Sequence, residues 1–175
     1  SEMCIRDSIT TYQQDIVEKY IEQYASSIDE NKHRAYFDMN SQTTYEFIFE
    51  GLDYLKQYGD VYVSEALKRV GKKISYNLHV GVSVENNLLK FDISSHEIPK
   101  KELQDVLNQY RRKKKFYRLK NGELLYLDSP DLEELCEFMD AYHVDVKDID
   151  NGEFSMNKQR MLAIDEENDF EYVKL

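Results

Sequence analysis

The chain predicts an α+β domain, with antiparallel hairpins packed against helices on one face. Three observations carry that expectation. Ile74, Tyr76, Leu78, Val80, Val82 and Val84 alternate with Ser75, Asn77, His79, Gly81 and Ser83, so one face of that strand is expected to be buried and the other wet. Two apolar segments flank Asn121-Gly122, a strong short-range hairpin signal. Between and around these hairpins, apolar residues recur at helical spacing, and hairpins alternating with helices imply antiparallel sheets rather than a parallel one.

Taken in order, Ile16, Val17, Tyr20, Ile21, Tyr24 and Ile28 give a first helix. Residues 36–39 form a short apolar run, read as a strand. Thr43 and Glu46 have capping-box spacing, and Phe47, Ile48, Leu52 and Leu55 continue a second helix that ends at Gly59. Val61 and Val63 suggest an edge strand. The long strand turns at residues 85–87 and returns through Leu89, Phe91 and Ile93. Val80, Val82, Leu89 and Phe91 are expected to be buried, because a one-residue slip would expose the whole apolar set. Pro99 opens a helix carrying Leu103, Val106, Leu107 and Tyr110. Residues 116–120 and 123–127 form the second hairpin, with a type I′ turn and positive φ at both Asn121 and Gly122. Ser129 caps and Pro130 starts a helix through Leu132, Leu135, Met139 and Tyr142. An acidic segment, residues 157–171, is read as a last helix. Gly59 and Asn151-Gly152 are the linker-like breaks.

The size and composition exclude several classes. A chain of 175 residues is long enough to bury roughly 70% of its unfolded surface. Only 2 Cys are present, Cys4 and Cys136, without a CxxC spacing. Reduced thiols and a cytoplasmic location are therefore expected, not a disulfide framework or a zinc site. No apolar run approaches a membrane span, and no secretory signal opens the chain. The first residues, SEMCIRDS, read as a translated sequencing adapter. Residues 1–8 are expected to be a non-native leader, and the chain a fragment of a longer protein. Residues 9–59 form a helical N-terminal part and residues 60–175 an α+β domain.

Catalytic chemistry finds little support. There is no GxxxxGK[ST], GxGxxG or HExxH. His33, His79, His96 and His143 are scattered, and His79 falls on the polar face of its strand. Acidic pairs such as Asp131 with Glu134 read as solvated helix faces, since paired-carboxylate catalysis needs burial. No catalytic residue, metal ligand or cofactor is expected.

The basic block at residues 111–120 stands apart. It holds Arg111, Arg112, Lys113, Lys114, Lys115, Arg118 and Lys120, with no acid, in a chain of net charge −11. Cations closing a helix complement its dipole, worth about 0.3–1 kcal/mol each, and two would suffice. Five in a row are also what phosphate neutralisation requires, and the interleaved Phe116 and Tyr117 could stack on bases. A second set, Lys68, Arg69, Lys72 and Lys73, precedes the long strand. Against these, residues 123–175 carry 16 acids and 4 Lys or Arg. That segment could mask the basic block or bind a basic partner.

Three stretches resemble the helicase-associated domain found ahead of the motor in bacterial Swi/Snf-type helicases. They are GDVYVSEALKR at residues 59–69, VSVENNLLKFDI at 82–93 and KKFYRLKNGELLYLD at 114–128; the similarity spans about residues 45–165. The resemblance implies a non-catalytic accessory domain whose parent is an ATP-dependent DNA helicase. The motor's phosphate loop and acidic metal box match no position here. Partners implied are the motor of the same parent chain and DNA, held weakly and without sequence preference. The alternative is a protein-interaction module whose acidic C-terminal third binds a basic partner.

Overall fold

The computed structural model describes residues 2–6, 11–70 and 74–168. It is α+β, with three small antiparallel sheets. The chain divides into two compact units, residues 1–74 with 118–125, and residues 75–117 with 126–175.

In the first unit, α1 (Thr11–Glu22) buries Val17 and Ile21. Four strands, β1 (Glu2–Arg6), β2 (Ser27–Asp29), β3 (Arg34–Tyr36) and β4 (Asp60–Val63), form a sheet of order β2-β3-β1-β4. The backbone of β1, inside the stretch expected to be a leader, pairs Met3 with Ala35 on one side and Val63 on the other. Ile28, assigned to the first helix by its spacing, lies in β2.

The second helix begins at Ser41, not at a Thr43–Glu46 capping box. The Ser41 hydroxyl accepts the Thr43 N–H at 3.2 Å, so the cap lies two residues earlier than the Thr-x-x-Glu spacing indicates. The segment runs through α2 (Gln42–Glu46), a π-helical turn (Phe47–Gly51), α3 (Leu52–Leu55) and a 3₁₀ turn (Lys56–Tyr58). The π turn coincides with a close approach. A Cβ on Gly51 would lie 2.5 Å from the Phe47 ring. With glycine there, that ring packs at the centre of Phe37 (4.7 Å), Tyr24 (5.4 Å) and Tyr20 (6.4 Å). Helix α4 (Glu65–Val70) buries Leu67 and Val70.

The second unit is built on a meander of β5 (His79–Glu85), β6 (Leu88–Ser94) and β9 (Glu153–Asn157). Phe91 sits opposite Phe154, with the rings stacked at 4.8 Å. Helix α6 (Pro130–Ala141) lays Phe138 over that pair, 5.3 Å from Phe91. Helix α5 (Leu103–Arg111), preceded by a 3₁₀ turn (Lys100–Glu102), adds Leu103, Val106 and Leu107 to the core. Helix α7 (Lys158–Asn168) buries Met161 and Ile164, and the buried Tyr142 hydroxyl donates to its Asp165. Residues 169–171 of the expected last helix lie outside the described residues. Ser129 occupies the N-cap of α6 without a side-chain cap bond.

The antiparallel pairing of the long hairpin is as expected, with Val82 opposite Phe91 and Val84 opposite Leu89, although Glu85 pairs with Leu88 and the loop is only Asn86-Asn87. Its burial is not. Leu89, Phe91 and Ile93 are buried, but Val80, Val82 and Val84 are 45, 44 and 55% exposed. Among the described residues β5 is an edge strand, and the aromatic side chain of α6 lies over β6 and β9. Alternation identifies a face; it does not identify which strand of the sheet lies beyond the cover. The strand is also shorter than its pattern. The Leu78 N–H is taken by the Asp131 carboxylate of α6 at 2.8 Å, and the Tyr76 hydroxyl by the Tyr126 carbonyl at 2.7 Å. Those bonds hold Tyr76 and Leu78 outside the ladder.

The two Asn-Gly turns exchange roles. In the hairpin of β7 (Phe116–Arg118) and β8 (Leu124–Tyr126), the Leu119 N–H donates to Glu123 O at 2.8 Å. That leaves three loop residues, with only Gly122 at positive φ, 95°. This is a tight turn followed by a left-handed glycine, not type I′. Asn151 and Gly152, expected to be a linker, have φ of 48° and 80°. They are closed by reciprocal 2.9 Å bonds between Asp150 and Glu153, the pattern of a type I′ turn.

Candidate nucleic-acid interface

Helix α5 is amphipathic and stops where its apolar face ends. The Lys113 N–H donates to Tyr110 O at 2.9 Å and the Lys114 N–H to Gln109 O at 3.1 Å. Lys113 has φ 61°. This is a Schellman C-cap, a position usually given to glycine because a Cβ is strained there. The sequence therefore places a lysine where a smaller residue would cost less.

Residues 111–115 are all exposed. Arg111 is tied to Asp140 of α6 at 2.9 Å, and that hydrogen bond, the largest influence on it, raises the guanidinium pKa further. The block is thus docked on the acidic segment at its first residue. The side chains of Arg112, Lys113 and Lys114 make no ion pair among the described residues. They project from the carbonyl end of the helix, where positive charge is favoured.

The strand that follows turns inward. Phe116 is 1% exposed and packs 5.5 Å from the Tyr126 ring, so its ring offers no face to a base. Tyr117 is half-buried, and its hydroxyl donates to the buried Glu102 at 3.2 Å. Burial first, then Glu102, push that phenol well above its ordinary range. Arg118 is half-buried in the first unit, beside Tyr45. Lys120 is exposed at the hairpin turn. Of the second basic set, Lys68 is exposed and pairs with Glu65 at 3.5 Å. The side chain of Arg69, and Lys72 and Lys73, lie outside the described residues.

Sequence reasoning missed one surface. In the second unit a cleft of about 320 Å³ runs between β5 and α6, with Val80, Val82, Phe91, Leu135 and Phe138 along it and Asp131 and Glu134 at its rim. The strict valine alternation was the available signal. Among the described residues no group of three or more His, Cys, Asp or Glu could hold a metal ion. No described helix is long and apolar enough to cross a membrane.

One helix of this α+β chain ends in consecutive exposed cations. The family model described as "Bacterial SNF2 helicase associated" matches residues 9–174. The chain belongs to that family, and the match extends beyond the 45–165 span of the resemblance on both sides. No curated protein and no solved structure matches it.

Proposed function

We propose that this domain is a non-catalytic accessory unit of an SNF2-type DNA motor, acting in the bacterial cytoplasm and touching DNA through the end of α5. The observation that carries the reading is the run Arg112, Lys113 and Lys114, exposed and outside any ion pair among the described residues, at a helix C-cap. Lys115, also exposed, follows it in the chain. These side chains suit phosphate oxygens, so contact would be sequence-independent and driven by counterion release. Buried Phe116 and half-buried Tyr117 serve to fix the strand that holds the cations in place.

The test uses fluorescence anisotropy with a short labelled duplex at low salt. Affinity on the order of 10⁻⁴ to 10⁻⁶ M near physiological salt is expected, as for other non-specific binders. The double reversal R112E/K114E should weaken it more than tenfold and flatten its salt dependence. No binding at low salt, or binding indifferent to the reversal, would overturn the DNA reading. A second reading, docking on a basic partner such as a surface of the motor, is favoured by the acidic α6 side of the molecule. Asp131 and Glu134 there rim the apolar cleft.

A further inference from the structure

We infer that β5 is a self-association edge, pairing antiparallel with β5 of a second copy of this chain across a two-fold axis at Val82.

The backbone sets the edge. A two-residue loop, Asn86-Asn87, joins Glu85 to its partner Leu88, so the closing pair is hydrogen-bonded and the pairs alternate from there. Val80, Val82 and Val84 then fall in the non-bonded pairs, with their N–H and C=O groups turned outward. An independent bond agrees. Ile93, opposite Val80, donates its N–H to Gly152 O on the far side of β6 at 2.8 Å. The outward groups of β5 have no strand beside them among the described residues. Proteins protect such edges with lysine, proline, bulges or short strands. The seven residues of β5, HVGVSVE, include none of these, and all are exposed. Gly81 leaves open space, with Asp92 O at 3.9 Å the nearest atom to a Cβ placed there.

The side chains select the occupant. With Val82 facing its own copy, Val80 faces Val84, Gly81 faces Ser83, and His79 faces Glu85. The valines would supply the outward N–H and C=O groups to the new ladder. At each end of the seam an imidazole meets a carboxylate, that of Glu85, which its own chain also pairs with Lys90 at 2.9 Å. No like charges oppose one another, and the three valines of each copy form one strip on one face of a continuous sheet. An arbitrary partner strand would have no reason to match this order, whereas β5 matches itself.

Sedimentation velocity over a range of concentrations tests the proposal on the whole chain, with circular dichroism confirming the fold of each variant. The wild type should reach twice the chain mass. Val82→Pro removes only an outward N–H, which an edge strand tolerates, and should abolish the dimer. His79→Glu sets two carboxylates opposite each other and should weaken it about tenfold. The pair H79E/E85K should restore it. A wild type that stays monomeric at every concentration, or a dimer unaffected by Val82→Pro, would overturn the inference. Failure of H79E/E85K to recover what H79E loses would overturn the register. A monomer that instead binds an extended valine-rich peptide would give the edge to a different strand and also overturn self-pairing.

Discussion

Replacing Gly152 with alanine isolates the cost of one close approach in the second unit. Gly152 has φ 80°, a left-handed conformation that costs an L-residue about 1–2 kcal/mol. A Cβ built there would lie 2.6 Å from the backbone oxygen of Ile93 and 3.2 Å from Leu103 Cδ1. The leucine end can move, but the Ile93 carbonyl belongs to the central strand of the sheet. The same two residues are joined by the bond from Ile93 N–H to Gly152 O, 2.8 Å long. Opening the clash by a few tenths of an ångström stretches that bond and forfeits much of about 1 kcal/mol. The expected loss is about 2–3 kcal/mol. Gly81→Ala is the matched control. It lies in the same unit, with extended backbone and open space around its Cβ, and should be neutral or stabilising by about 0.5 kcal/mol through the unfolded chain. Urea unfolding followed by circular dichroism, at unchanged denaturant slope, reads both. Equal midpoints for the two variants would refute the argument, because it would mean that neither the turn conformation nor the Ile93 approach constrains position 152.

Two further outcomes follow from the same geometry. Lys113→Gly should stabilise the fold by up to about 1 kcal/mol by relieving left-handed strain at the α5 cap, while weakening DNA binding in the anisotropy assay; a loss of stability in urea would contradict the cap assignment. Stability should also fall in alkali. Burial, the largest influence, and then Asp131 and Asp128, outweigh the opposing Ser129 hydrogen bond and push Tyr76 from 10 up to about 12. The folded state keeps a proton that the unfolded chain releases, so this stabilisation is complete below about pH 10 and is lost as pH rises through about 12. Unfolding midpoints measured across that window should decline, and less steeply in Tyr76→Phe.

What the sequence made legible was periodicity, and what it withheld was context. The spacing of Leu103, Val106 and Leu107 and of Leu132, Leu135 and Met139 marked helices whose buried faces are those residues. The alternation in β5 and β6 marked two antiparallel strands, but not the two-residue loop between them. The strands of the first sheet run three to five residues, too short for a period of two to be distinguished from chance, so that sheet was largely invisible. The two Asn-Gly dipeptides look alike in sequence. Their difference comes from which flanking residues pair. Leu119 pairs with Glu123 around a three-residue loop, and Asp150 with Glu153 around a two-residue one. The basic block was legible as charge, but the burial of Phe116 was not, because an aromatic beside lysines reads equally as a stacking ring or a core residue.

Among the described residues local preference is set aside at several exposed places, Lys113 and β5 among them. A Schellman cap favours glycine, yet position 113 is lysine. An edge strand favours lysine or proline, yet β5 is a row of valines. Interchanging those preferences would give a more stable cap and a more soluble edge. Lys113 is not alone at such a cap: His143, φ 57°, holds the same position after α6, with its N–H on Asp140 O and the Val144 N–H on Met139 O. Departures from local preference that yield no gain in the folded monomer are expected where a surface meets something outside it. On the proposed function, the lysine at the end of α5 would face a polyanion. The unprotected strand is placed for another strand. If both proposals hold, the two surfaces have separable consequences: the first would set how strongly the domain holds DNA, and the second how many copies of it are held together. Variants at Arg112 and Lys114 should therefore change DNA affinity without changing mass, and variants at Val82 should change mass without changing the affinity of a single domain.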